Sequence, residues 1–180
     1  MDSSLVRIDT RSGQLLGQWR LTDKRLSLRH MAWGPAIQGS DSGERLLGIA
    51  LQAEHDDPVA KAAAPVLAVF DGRQLKTHAA SAGQSLKGYG GDIAFAQGRF
   101  AVSCPRANGI ALWQADGAWD DFLPLEEACA LSTAAVHGSA GSARLWAGGR
   151  VAALAQGSGG GLASSSLPGI KLDNHWAAWL

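Results

Sequence analysis

The same order of four strand-sized pieces runs through this chain three times, and few folds accommodate such a repeat. The first copy reads LSLRHMAWGP, ERLLGIALQ, PVLAVFDG and QLKTHAA, and the second reads GGDIAFAQ, GRFAVSCPR, NGIALWQADG and AWDDFLPL. The third, more degraded, reads LSTAAVHGS, ARLWAGG, RVAALAQG and GGLASSSL. From Ala94 to Ala135 is 41 residues, from Phe100 to Leu145 is 45, and from Trp113 to Leu154 is 41. The first copy is longer because of an insert around AEHDDPVAKAAAP. A period in the low forties with four short strands per unit is what a β-propeller blade requires.

The two ends extend the pattern. SLVRIDTRSGQLLGQWRL lines up with the third and fourth strands of a unit, with Ile8-Asp9 matching Phe70-Asp71 across a turn of Gly and polar residues. IKLDNHWAAWL aligns with LSLRHMAW, which makes it a first strand whose Trp176 and Trp179 pack between sheets. The expected fold is all-β, a β-propeller portion of about three complete four-stranded blades plus two half-blades. Its parts are a half-blade over 1–22, blades over 26–80, 89–125 and 131–167, and a closing inner strand over 170–180. The rival is a compact four-bladed closure in which the C-terminal strand joins the N-terminal pair. Trp33, Trp113 and Trp146 read as packing between sheets. Only LPLEEACALS has a helical look, as a helix or as a turn between blades.

Composition narrows the partners. Sixteen basic and sixteen acidic residues cancel among 180, so there is no global field to collect nucleic acid or an anionic membrane. The longest apolar runs are too short to span a bilayer, and MDSSLVRIDTRSG has no basic segment followed by an apolar one. Taken as the complete product, the chain is expected to be cytoplasmic and not inserted in a membrane. Cys104 and Cys129 have no metal-type spacing and read as a disulfide or as two buried thiols.

In a propeller the first strand of each blade lines the central channel, so residues entering equivalent first strands ring its mouth. Here they are Arg29-His30, Gly91-Asp92, Ser132-Thr133 and Asp173-Asn174-His175. Arg29 can clamp a carboxylate or phosphate with its planar fork, and His30, Asp173 and His175 can supply metal ligands or a general base, a metal ion being the one cofactor implied. The same groups can instead hydrogen-bond one another and the turns. Arg106, in SCPRANG, either points over the funnel at an anion or pairs with an acidic neighbour. Gly88, Gly90 and Gly91 in KGYGGD have no helix after them, so a tight turn between blades explains them better than a phosphate loop. Glu54, His55, Asp56 and Asp57 read as a solvated acidic loop, with metal binding as the alternative. The cysteines have no base at recognisable spacing and are expected to be structural.

LSLRHMAW, GYGGDIAF, VSCPRANGIALW and LDNHW together, in this order, resemble the C-terminal half of the bacterial domain-of-unknown-function family 1513. The resemblance runs from about Leu5 to Trp176. It implies a seven-bladed propeller about twice this length, with a twin-arginine export signal and first blades that precede the part seen here, hence a periplasmic location. It also implies a neighbourhood of iron-uptake and imelysin-like genes. Ala130 stands where the family pattern has glycine after the cysteine. The resulting expectation is a non-enzymatic protein whose funnel ring of Arg29, His30, Asp92, Arg106, Asp173, Asn174 and His175 binds a small anion, metal or metal chelate in connection with iron uptake. The alternatives are a lactonase-like, metal-dependent propeller hydrolase and a scaffold for a protein partner, the missing N-terminal half of the propeller among them.

Overall fold

The structure is a computed structural model and describes residues 2–39, 43–135, 143–156, 162–166 and 171–176. Its strands form four antiparallel sheets. β1 (Leu5–Ile8) and β2 (Leu15–Trp19) make an N-terminal pair. β3 (Leu26–Ala36), β4 (Arg45–Ala53), β5 (Leu67–Phe70) and β6 (Leu75–His78) make the first four-stranded sheet. The second contains β7 (Ile93–Ala96), β8 (Arg99–Cys104), β9 (Gly109–Gln114) and β10 (Trp119–Pro124). The third contains β11 (Ala130–Ala135), β12 (Ala143–Gly148), β13 (Ala152–Gln156) and β14 (Leu162–Ser166). Spatial order equals chain order in every sheet, so each connection within a sheet joins neighbouring antiparallel strands.

Aspartate builds three of the turns in the same way. Asp9 Oδ1 accepts from the N–H groups of Arg11 and Ser12, Asp71 Oδ1 from those of Arg73 and Gln74, and Asp116 Oδ1 from that of Ala118. These turns join β1 to β2, β5 to β6 and β9 to β10, and each contains a glycine with positive φ. A short carboxylate that bonds its own turn fixes the strand reversal locally. The match of Ile8-Asp9 to Phe70-Asp71 therefore rests on one recurring device.

Neighbouring sheets meet through small residues facing rings. A Cβ added at Gly48 on β4 would lie 2.5 Å from the Phe100 ring, so the absence of a side chain there is what lets the second sheet close on the first. Phe100 and Trp113 are fully buried, and the Trp113 indole N–H donates to the Ala79 carbonyl at 3.0 Å. Burial of each ring contributes roughly 1.5–3 kcal/mol. Ala94, Ala101 and Leu112 of the second sheet pack with Leu131 and Leu145 of the third. β3 lies against β7 and β7 against β11, which gathers the first strands of successive sheets along one side.

Several expectations are revised. The α-helix, α1 (Pro58–Ala63), forms in the inserted loop, because Asp57 accepts from the N–H groups of Val59 and Ala60 and Pro58 opens the first turn. Of the two readings of LPLEEACALS, the turn is the one present, with the Ala128 N–H donating to Leu125 O, followed by β11. Trp113 is buried, but Trp33 is 59% and Trp146 37% exposed. The tail residues 171–176 carry no strand, although a Cβ at Gly148 would come 2.5 Å from the Trp176 ring, so that indole does pack on the end of β12. Trp179 lies outside the described residues. Among the described residues no helix is long and apolar enough to cross a membrane.

Candidate functional site

β3 carries one more residue than β4 between two paired positions: Leu28 faces Leu51, and Met31 faces Ile49. A bulge of this kind bends a strand and re-aims its side chains. The residues inside it are Arg29 and His30. Arg29 Nη2 lies 3.5 Å from Glu54 Oε1. His30 Nδ1 lies 3.6 Å from Asp92 Oδ1, and the His30 ring stacks on that of His175 with centroids 5.5 Å apart and planes 26° from parallel. Three segments remote in sequence thus converge: the bulge of β3, the residue preceding β7, and the C-terminal tail.

Asp92 is held tightly. Its Oδ1 accepts from the Ile93 N–H at 2.8 Å and its Oδ2 from the Leu131 N–H at 3.0 Å, while its own N–H donates to Ser103 Oγ at 2.8 Å. Ser103 Oγ in turn donates to the Cys129 carbonyl at 2.6 Å. The carboxylate fastens the second sheet to the third and offers His30 the remaining side of Oδ1. Ser103 is completely buried, so this network has no slack.

Cys129 sits beside this network and is a free thiol, as is Cys104. Burial, and then the charge of Asp92, raises the Cys129 thiol above its ordinary value. Burial pushes the Cys104 thiol up to about 12, and its Sγ donates to the Val102 carbonyl. A nucleophilic cysteine requires the opposite shift, so neither is built for attack.

The other expected site residues are dispersed. Arg106 occupies the short 3₁₀ turn Pro105–Ala107, with its guanidinium carbon 4.2 Å over the centre of the Tyr89 ring. It is exposed and is positioned by a cation–π contact. Asp173 and Asn174 are exposed beside His175, and Asp173 Oδ1 accepts from the Asn174 N–H at 2.7 Å. Among the described residues no three His, Cys, Asp or Glu side chains are gathered to hold a metal ion, and His30, Asp173 and His175 do not form such a set.

The acidic insert and the glycine cluster have structural work. His55 Nε2 lies 3.0 Å from Asp23 Oδ2, Asp56 bonds Arg25, and Asp57 caps α1. Gly88 has φ +58°, and a Cβ there would lie 2.1 Å from the Lys61 carbonyl oxygen. With the Ala53 N–H donating to Gly88 O and the Gly90 N–H to Leu51 O, KGYGGD is a packed crossing between sheets. Sequence reasoning missed the bulge, Glu54 as the partner of Arg29, and Tyr89 beneath Arg106. The one advance signal was the extra residue in LRHM relative to the GDI of the next repeat.

The family model described as "Protein of unknown function (DUF1513)" matches residues 1–179. No curated protein matches the chain.

Proposed function

The chain belongs to the DUF1513 family of proteins of unknown function, and from that premise we propose that it is part of a β-propeller with a binding role and no reaction of its own. Its ligand is a small carboxylate-bearing anion or metal chelate, held where the first strands begin. The observation that carries this reading is the stacked, exposed pair His30 and His175 beside Asp92. Two imidazoles side by side present ring N–H donors to one acceptor-rich ligand, and Arg29 stands next to them in the bulge. The ligand meets the protein through its own oxygens, because the described side chains gather no direct metal set. A periplasmic place in iron uptake is part of the same proposal and rests on the four motifs alone.

Calorimetric titration with ferric citrate and with citrate alone tests it. Saturable binding is expected, weakened about tenfold by His30→Gln or His175→Gln, the loss of one charge-assisted or strong neutral hydrogen bond. No saturable heat with either ligand overturns the reading.

A further inference from the structure

Between Gly88 and Gly90 the KGYGGD segment holds Tyr89, and packed backbone fixes it on both sides. A Cβ on Gly88 would lie 2.1 Å from Lys61 O, and one on Gly90 would lie 3.0 Å from Leu51 O. Tyr89 itself bridges Gln52 near the end of β4. The Arg106 guanidinium lies over this ring, and its turn is fixed as well. Pro105 opens the turn, the Asn108 N–H donates to Pro105 O at 3.3 Å, and Asn108 Oδ1 accepts the Glu127 N–H at 3.0 Å. An exposed cation is thus mounted on a rigid platform.

That cation has no counter-charge. At the same end of the sheets Arg25 pairs with Asp56 and Arg29 with Glu54, and the acid beside the Arg106 turn, Glu127, is taken by Arg150 at 3.1 Å. Among the described residues no carboxylate pairs with Arg106. The ring holds the guanidinium by one face, which leaves the N–H edge that grips a carboxylate with two parallel hydrogen bonds. Because β7 and β8 run antiparallel, the turn after β8 lies beside the segment that enters β7. The Gly91 N–H donates to Ser103 O at 2.8 Å, and a Cβ on Gly91 would lie 3.3 Å from Pro105 Cδ. Tyr89 under Arg106 and Asp92 beside His30 therefore stand on one short segment, their Cα atoms no more than about 11 Å apart.

We propose that Arg106, stacked on Tyr89, is a second anion contact of the site, and that the ligand is a polycarboxylate, free or as a chelate. One carboxylate meets the rings of His30 and His175, and another meets the Arg106 guanidinium. Two contacts on so short a segment are within reach of one small molecule that bears carboxylates at both ends. A monocarboxylate fills only the first. This inference rests on the histidine-pair reading and adds to it the class of ligand and the residue that selects it.

Tyr89 is the one tyrosine of the chain, so tyrosine labelled with ¹³C in the ring reports on this contact by itself. The probes are citrate, followed at the Tyr89 resonances and by calorimetry, and acetate, followed at the histidine ring resonances. Citrate is expected to shift the Tyr89 signals saturably. Arg106→Gln is expected to weaken citrate binding at least tenfold with the melting temperature unchanged, and to leave the affinity for acetate as it is in wild type. Citrate binding that His30→Gln weakens but Arg106→Gln does not, with the Tyr89 signals unmoved, overturns this inference and leaves the histidine reading standing. Equal weakening of citrate and acetate by Arg106→Gln overturns the assignment of a separate second contact. Absence of saturable binding of citrate and ferric citrate overturns both readings.

Discussion

Asp92 Oδ2 accepts the backbone N–H of Leu131 at 3.0 Å, so one carboxylate on the second four-stranded sheet closes the start of the first strand of the third. The donor residue is buried, and an N–H there has nowhere else to go. Asp92→Ala leaves it without an acceptor, at a cost of about 1–3 kcal/mol. For a chain of this length each kcal/mol lowers the melting temperature by roughly 2–4 °C. Asp92→Asn keeps one carbonyl oxygen and is expected to fall between wild type and Asp92→Ala. Calorimetric melting of the three proteins checks the order.

A second prediction concerns Gly48. Its missing side chain is the space that the Phe100 ring fills, and Phe100 is fully buried. Gly48→Ala is expected to destabilise by about 1–3 kcal/mol, the usual cost of overpacking. In a Phe100→Leu background the same substitution meets a smaller side chain and costs less. The non-additivity, read from urea unfolding of the four proteins, is the signature of direct contact.

These two positions show why the succession of four-stranded antiparallel sheets was legible and the site was not. The repeat could be read because strand pairing imposes a period of two on the apolar residues, and because Asp9, Asp71 and Asp116 mark equivalent turns by local chemistry alone. Asp92 could be read as an entry residue of a first strand. That its carboxylate is taken up by Leu131 and Ile93 depends on a long-range approach that no local pattern encodes. His30 and His175 were both picked by alignment of HM with HW, yet their stacking depends on the β3 bulge and the course of the tail. The helix was missed for the opposite reason. Asp57 and Pro58 form a valid local start signal, obscured by the neighbouring charges that suggested a plain acidic loop.

The thiols give a third prediction. Cys104 is buried and Cys129 half-buried, and both are protonated at neutral pH in the folded chain. Reaction with a disulfide reagent at pH 8 is expected to be slow for Cys129 and negligible for Cys104, both becoming fast in denaturant. Because the folded thiols ionise later than unfolded ones, their contribution to stability is complete below about pH 8.5 and is lost as the pH climbs toward the folded value of Cys104 at about 12. Cys104→Ala is expected to lose stability at neutral pH through the cavity it leaves, yet to show a flatter alkaline limb in urea unfolding between pH 8 and 10.

His78 supplies the acid limb. It ends β6 under the turn between β9 and β10, so close that a Cβ on Gly117 would meet its ring at 1.9 Å. Burial lowers its proton affinity, and the nearby Lys76 lowers it further, against the opposing pull of the Gly117 backbone and Asp116. A histidine whose folded value is depressed stabilises the fold above its unfolded value near 6.5, and that stability is lost as the pH falls through the folded one. The urea midpoint is therefore expected to fall between pH 7.5 and 5, and to fall less in His78→Gln, which cannot take up the proton. Equal slopes for wild type and variant would mean that the imidazole is as well solvated folded as unfolded, and that the contact with Gly117 does not desolvate it.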